Sequence, residues 1–257
     1  MVIDSKTRKN IMQEVIAIIE KNKKEFTKLE LFEYMQDRSI AASKRLSFAP
    51  CMTHFIMSFG DLNKYVFKET QPLTKLQHII NEHANEDEEH WRWFVTDLEK
   101  LDCNPIQHFS KTLKSIWSEE TKITRQISYH VAGYTLTAEP IIKIAAIEAL
   151  EAVGNVFFCA SSQVASELQK TTRKDYLYFG ESHLKLETGH TVGTPEAEDF
   201  LLEIELTDSQ RQQAFEIVEK IFQIFTEWTY ELLTYAQKYG VESVKYDGSK
   251  AGLILCA

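Results

Sequence analysis

The stretch His83-Ala84-Asn85-Glu86-Asp87-Glu88-Glu89-His90 constrains this chain more than any other, because its pattern recurs further on as His183-Leu184-Lys185-Leu186-Glu187-Thr188-Gly189-His190. Both copies read His-x3-(Asp/Glu)-x2-His. On an α-helix, positions i, i+4 and i+7 fall at about 0°, 40° and −20° around the axis, so the three side chains share one narrow stripe. Two such stripes face to face direct imidazoles and carboxylates into one space. The pattern therefore asks for long helices packed against one another, and for a reason to place such polar side chains between them.

The rest of the chain agrees with helices. Only 9 Gly and 5 Pro stand among 257 residues, little material for the turns of a β-protein. Asp4 and Ser5 are expected to cap a first helix with apolar positions Ile11, Val15, Ile18 and Ile19 at helical spacing, and a second is expected over about 27–37. The apolar stretch 39–67 is expected to be buried helix kinked at Pro50 and broken at Gly60-Asp61. Pro72 suits the first turn of a helix carrying the first motif copy through to about Leu101, and Pro105 opens another reaching about Tyr134. The helix from Pro140 to about Leu168 begins almost continuously apolar and is expected at the centre. The second motif copy lies on a helix over about 172–191. A loop follows at 193–198, and a last helix is expected from Thr207-Asp208-Ser209 to Gly240. The pattern gives one all-helical domain over 1–257, with 241–257 a short non-helical tail.

Composition narrows the function. A formal charge of −9 with no basic block argues against nucleic acid. No run of 18 apolar residues exists to span a membrane, and the N-terminus lacks the basic-then-apolar order of a signal peptide. Cys51, Cys103, Cys159 and Cys256 are widely spaced and read as reduced thiols, with Cys159 inert and buried among apolar neighbours. The expected location is the cytoplasm. The apolar last helix either packs inward or forms a homodimer face.

The doubled motif uses four of the chain's 8 histidines. A solvated acidic face is the plain alternative for the first copy, but Trp91, Trp93 and Phe94 follow at once and argue for burial. Imidazole with carboxylate suits iron, manganese or zinc, and the absence of thiolates from the pattern argues against a structural zinc cage. The candidate ligands His83, Asp87, His90, His183, Glu187 and His190 exceed what one ion needs. A second ion needs a bridging carboxylate. Glu151 on the apolar helix is preferred over Glu148, one turn earlier, because Gly154 and the apolar run to Phe158 set it deeper.

With these residues in place, the chain resembles the heme-oxygenase-like diiron oxidases and oxygenases, and within them the proteins related to the Chlamydia protein associating with death domains. The resemblance covers roughly 72–191 by motif and the remainder by helix count and order. His183, Glu187 and His190 match the family's late-helix ligands, Glu151 its middle-helix Glu, and His90 with Asp87 its early-helix pair. His83 departs, standing where many members carry Glu. The resemblance implies a heme-oxygenase-like bundle of about seven helices. It also implies an enzyme with two Fe(II) ions, with manganese the alternative, that activates O2 to oxidise a small amino-acid-like or fatty-acid-like substrate. Trp91, Phe94, Phe157, Phe158, Tyr176 and Phe179 are the candidate cavity walls. Three competing readings are a metal-free, thiamin-salvage-like enzyme using Cys159, a haem-degrading enzyme with His54 as axial ligand, and an acidic helical interaction protein.

Overall fold

The computed structural model describes residues 11–101, 103, 106, 108–189 and 200–239, with the side chains of 187–189 outside that description. The fold is all-α: no β-strand occurs among the described residues, and the one isolated bridge joins Ile11 to Glu205. Its axis is the helix from Pro140 to Thr172, called α9 here. At about 1.5 Å per residue it runs for roughly 50 Å. The apolar run from Ile141 to Ile147 lies almost wholly inside, as an all-round apolar sequence must. Pro140 sits at its first turn, where the missing N–H costs nothing, and Arg173 closes it in the left-handed conformation with φ 61°.

Around this axis pack α1 (Met12–Phe26), α2 (Glu30–Gln36), α3 (Ala42–Arg45), α5 (Lys75–Asp87), α8 (Lys122–Thr135), α10 (Glu181–Gly189) and α11 (Asp208–Tyr239). α4 (Thr53–Leu62) lies on α8 and on α6 (Trp91–Lys100). α7 (Phe109–Ile116) buries no residue. The apolar face of α11 turns inward, with Ile217, Val218, Ile221, Phe225 and Trp228 buried. The inward alternative therefore holds for these residues. Buried Arg45 donates to the Met35 carbonyl at 2.8 Å and pairs with Glu167 of α9, tying α2 and α3 to the axis. No helix among the described residues is long and apolar enough to cross a membrane.

Several boundaries differ from the sequence reading. Pro72 lies ahead of α5, which starts at Lys75 because Thr74 Oγ1 accepts the Gln77 N–H at 3.1 Å and caps it. Gly60 breaks nothing; α4 runs through it to Leu62. An added Cβ there would meet the Glu88 carbonyl oxygen at 2.7 Å, so the glycine allows close helix–backbone approach. Pro50 instead sits at the start of the 3₁₀ turn Ala49–Met52. The stretch expected as one helix up to Tyr134 divides into α7, a 3₁₀ turn and α8. The second motif helix begins only at Glu181, after a non-helical segment over 173–180. Cys103 is disulfide-bonded, against the expectation of reduced thiols, while Cys51 and Cys159 are free. Cys159 is exposed rather than buried, because it turns outward on α9 beside the inward-facing Phe158. The N-terminal caps Asp4 and Ser5, Pro105, the loop 193–198 and the tail 241–257 lie outside the described residues.

Candidate metal centre

The site begins on α5. His83 and Asp87, four residues apart, share its inward face at 6% and 7% exposure. Polar side chains this buried need partners. His83 Nε2 lies 3.2 Å from Asp87 Oδ2 and 3.4 Å from Oε1 of Glu151, which α9 carries in from the opposite side. Ligand atoms of the three lie within 4.8 Å of one another. Glu148 is the more buried of the two acids, against the expectation that Glu151 lies deeper, but it lines neither cavity at the cluster; Glu151, partly exposed, is the carboxylate whose oxygen joins His83 and Asp87.

His90 reaches the cluster by a route the sequence did not foresee. The helix carrying the first motif copy does not continue through it. α5 ends at Asp87, a turn occupies 88–90, and α6 starts at Trp91. The turn tightens to i→i+3 bonding, with the His90 N–H donating to the Asp87 carbonyl at 3.2 Å. Side chains three apart eclipse in such a turn, which keeps His90 over Asp87. Nδ1 of His90 lies 3.4 Å from Asp87 Oδ1. The Glu88 carbonyl presses against Gly60 at this same turn.

His183 comes from the second copy. Its ring centroid lies 4.7 Å from that of His90, edge to face. Nδ1 sits 2.9 Å from the Tyr178 carbonyl oxygen. A carbonyl only accepts, so Nδ1 carries a proton and donates it to that oxygen. Tyr178 is itself fixed from α6. The carboxylate of Asp97, fully buried, accepts the N–H groups of Leu177, Tyr178 and Phe179 at 2.9, 2.8 and 3.1 Å. Burial raises the Asp97 pKa, against the opposing pull of these N–H groups and of Lys100. At Gly180 an added Cβ would collide with the Tyr176 carbonyl, so only glycine lets the chain enter α10 here.

Aromatic rings clamp the imidazoles. Trp93 stacks on His90 with centroids 4.4 Å apart, and Phe158 lies 4.0 Å from His183. Two cavities meet at the cluster. One is apolar, a cavity of about 70 Å³, and is lined from α4, α9 and α11 as well as by Asp87, His90, Glu151 and His183. The other is polar, lined by His83, Glu86, Asp87, Glu89, His90, Arg92, Trp93, Glu151 and Leu186. Of the expected wall residues, Trp91, Phe157 and Phe158 line the apolar cavity. Phe94, Tyr176 and Phe179 do not; they are core, with Phe94 packed on Tyr178 and Phe179 at 5.3 and 6.1 Å. The sequence reading missed Met52, Phe55 and Phe59, whose i, i+3, i+7 spacing on one face was the available signal, and Trp93 and Asp97, which carried none. The side chain of Glu187, and His190, lie outside the described residues.

His54 is placed elsewhere, edge-on to Trp117 at 5.2 Å and tilted to Tyr129 at 6.1 Å, and it lines neither cavity. Burial, then the nearby Arg125 charge, lowers its pKa. Compared with known proteins, the chain matches no family model, and no curated protein matches it in sequence.

Proposed function

We propose that the cluster is a non-haem diiron centre, that the bundle is of the heme-oxygenase-like kind, and that the protein uses O2 to oxidise a small organic substrate. The observation that carries this reading is the meeting of His83, Asp87 and Glu151 within 4.8 Å, from two helices, at the end of an apolar cavity. Ligand atoms sharing one ion at about 2.1 Å stand roughly 3.0–3.4 Å apart. The His83 separations of 3.2 and 3.4 Å have that size. The orientation of His183 supports the same reading, since metal-bound histidines characteristically donate their other ring N–H to a carbonyl or carboxylate.

Two ferrous ions held there would supply electrons and open coordination positions for O2. The chain's own residues do the rest. Asp97 fixes the loop over 177–179, and the Tyr178 carbonyl sets the tautomer and direction of His183. Trp93 and Phe158 limit the swing of the two imidazoles. The aromatic wall keeps water from the substrate side. On the other side, His83, Glu86, Glu89 and Arg92 line a polar opening suited to proton exchange with solvent.

The test is O2 uptake by protein loaded anaerobically with ferrous iron. The wild type consumes O2, and Glu151→Ala and His183→Ala consume it no faster than free ferrous ion. Equal uptake by both variants would overturn the proposal. Haem binding through His54 is disfavoured by that residue's separation from both cavities.

A further inference from the structure

Two cavities of unlike size and chemistry meet at the His/carboxylate cluster. The polar one has a volume of about 380 Å³, within the roughly 300–1,000 Å³ of ordinary ligand pockets. The apolar one has only about 70 Å³. An apolar cavity of about 150 Å³ admits benzene, so about half that volume leaves no room for an organic ring or an extended chain. It does leave room for one small molecule, since a water-sized molecule occupies about 30 Å³ in a liquid.

Water is the wrong occupant. A buried water needs roughly two to four polar partners. Away from Asp87, His90, Glu151 and His183 the wall is aliphatic and aromatic, and Trp228 gives its Nε1–H to Thr124 Oγ1 at 3.2 Å. Close-packed interiors rarely keep a void, because its lining forgoes contacts. Here the rings brace one another around it. Phe55 packs edge to face on Phe225 at 5.3 Å and on Trp228 at 5.4 Å, and Phe225 packs on Trp228 at 5.5 Å. These rings come from α4 and α11, and Phe157 of α9 reaches Trp228 at 6.0 Å. A ring that turned to fill the space would give up these contacts, so the cavity is a fixed feature of the bundle.

We propose that this cavity is a dioxygen site: an apolar diatomic gas collects in it with the cluster at its end, and anything larger approaches through the polar cavity. Dioxygen has no dipole and no strong hydrogen bond to lose on leaving water, whereas the wall disfavours water itself. That the gas is consumed there rests on the diiron reading above. That the cavity holds an apolar gas rests on its size and wall alone.

Xenon is the probe, because it is apolar, small and visible without turnover. Crystals of metal-free protein are pressurised with xenon, and xenon NMR shifts are titrated in solution. One xenon is expected in contact with Phe55, Phe157 and Trp228, and benzene is expected not to bind. Ile56 and Val153 also line the cavity. Ile56→Phe and Val153→Phe are expected to lose xenon while keeping their helical circular dichroism. Leu186→Phe, on the wall of the polar cavity, is expected to keep it. On ferrous-loaded protein, xenon is expected to raise the apparent KM for O2 and to leave kcat and iron content unchanged. No xenon in the wild-type cavity, benzene bound as readily as xenon, or xenon undiminished in both folded variants would overturn the proposal. So would a KM for O2 indifferent to bound xenon. Xenon bound by protein that takes up no iron would keep the gas site and remove the metal centre. Iron uptake and O2 consumption without a xenon site would do the reverse.

Discussion

Asp97 touches neither candidate ligand nor cavity, yet it is expected to govern both stability and metal affinity. Its carboxylate accepts three backbone N–H groups, at 2.8 to 3.1 Å, in a fully buried setting. The three bonds satisfy donors that would otherwise be buried without partners, although burial costs the ionised carboxylate more than they return, as the raised pKa shows. Asp97→Ala leaves the three donors to whatever water can enter, and a net loss of about 4 kcal/mol is expected. For a chain of this size that lowers Tm by roughly 10 °C. The loop it releases holds the Tyr178 carbonyl that orients His183. Loss of such an outer support typically weakens metal binding about 10- to 100-fold. The assay is an anaerobic competition titration of ferrous iron against a chelator, run well below the variant's Tm, beside chemical unfolding. Arg45→Met is the control, because it breaks the buried link to Glu167 and so destabilises the fold far from the cluster. If Asp97→Ala loses stability but binds iron like Arg45→Met, the chain of contacts from Asp97 to His183 does not transmit, and the reasoning is refuted.

The same residue gives a pH dependence. Because burial raises the folded-state pKa of Asp97, its contribution to stability is fullest below the ordinary carboxylate range and declines as pH rises through the raised value. The gap in urea midpoint between wild type and Asp97→Asn should shrink with rising pH, and a widening gap would reverse the sign. Gly60→Ala forces a Cβ to 2.7 Å from the Glu88 carbonyl and should cost about 1–3 kcal/mol by thermal unfolding, despite alanine's better helix propensity. Trp93→Ala frees one face of His90 and should weaken iron binding while leaving Tm within a few degrees, since Trp93 is only partly buried. His54→Ala should leave iron content unchanged, measured by metal analysis, because His54 lines neither cavity.

What the sequence made legible was whatever depends on periodicity. The apolar run from Ile141 predicts a buried axis helix, and α9 is that helix. The i, i+4 spacing of His83 and Asp87 predicts a shared face, and the two side chains sit 3.2 Å apart. Glu151 was placed at the cluster by the cost of burying a charge between apolar neighbours. What was not legible depends on contacts made across the bundle. The turn at 88–90 has no glycine or proline of its own, and its tight seat against α4 depends on Gly60, some thirty residues earlier in the chain. The Asp97 cap is an interaction between α6 and the segment before α10, and nothing local marks it. Aromatic walls were named by proximity in sequence to the motifs. Of these, Trp91, Phe157 and Phe158 line the apolar cavity, while Phe94, Tyr176 and Phe179 are buried in the core.

The central claim is that the His/carboxylate cluster binds two iron ions, and the most direct measurement is metal stoichiometry. Protein reconstituted anaerobically with ferrous iron and desalted is expected to hold about two irons per chain, as helical-bundle carboxylate–histidine sites do. Glu151→Ala and His183→Ala should each lose at least one. Iron near zero in the wild type, or equal iron in the wild type and both variants, would contradict the account.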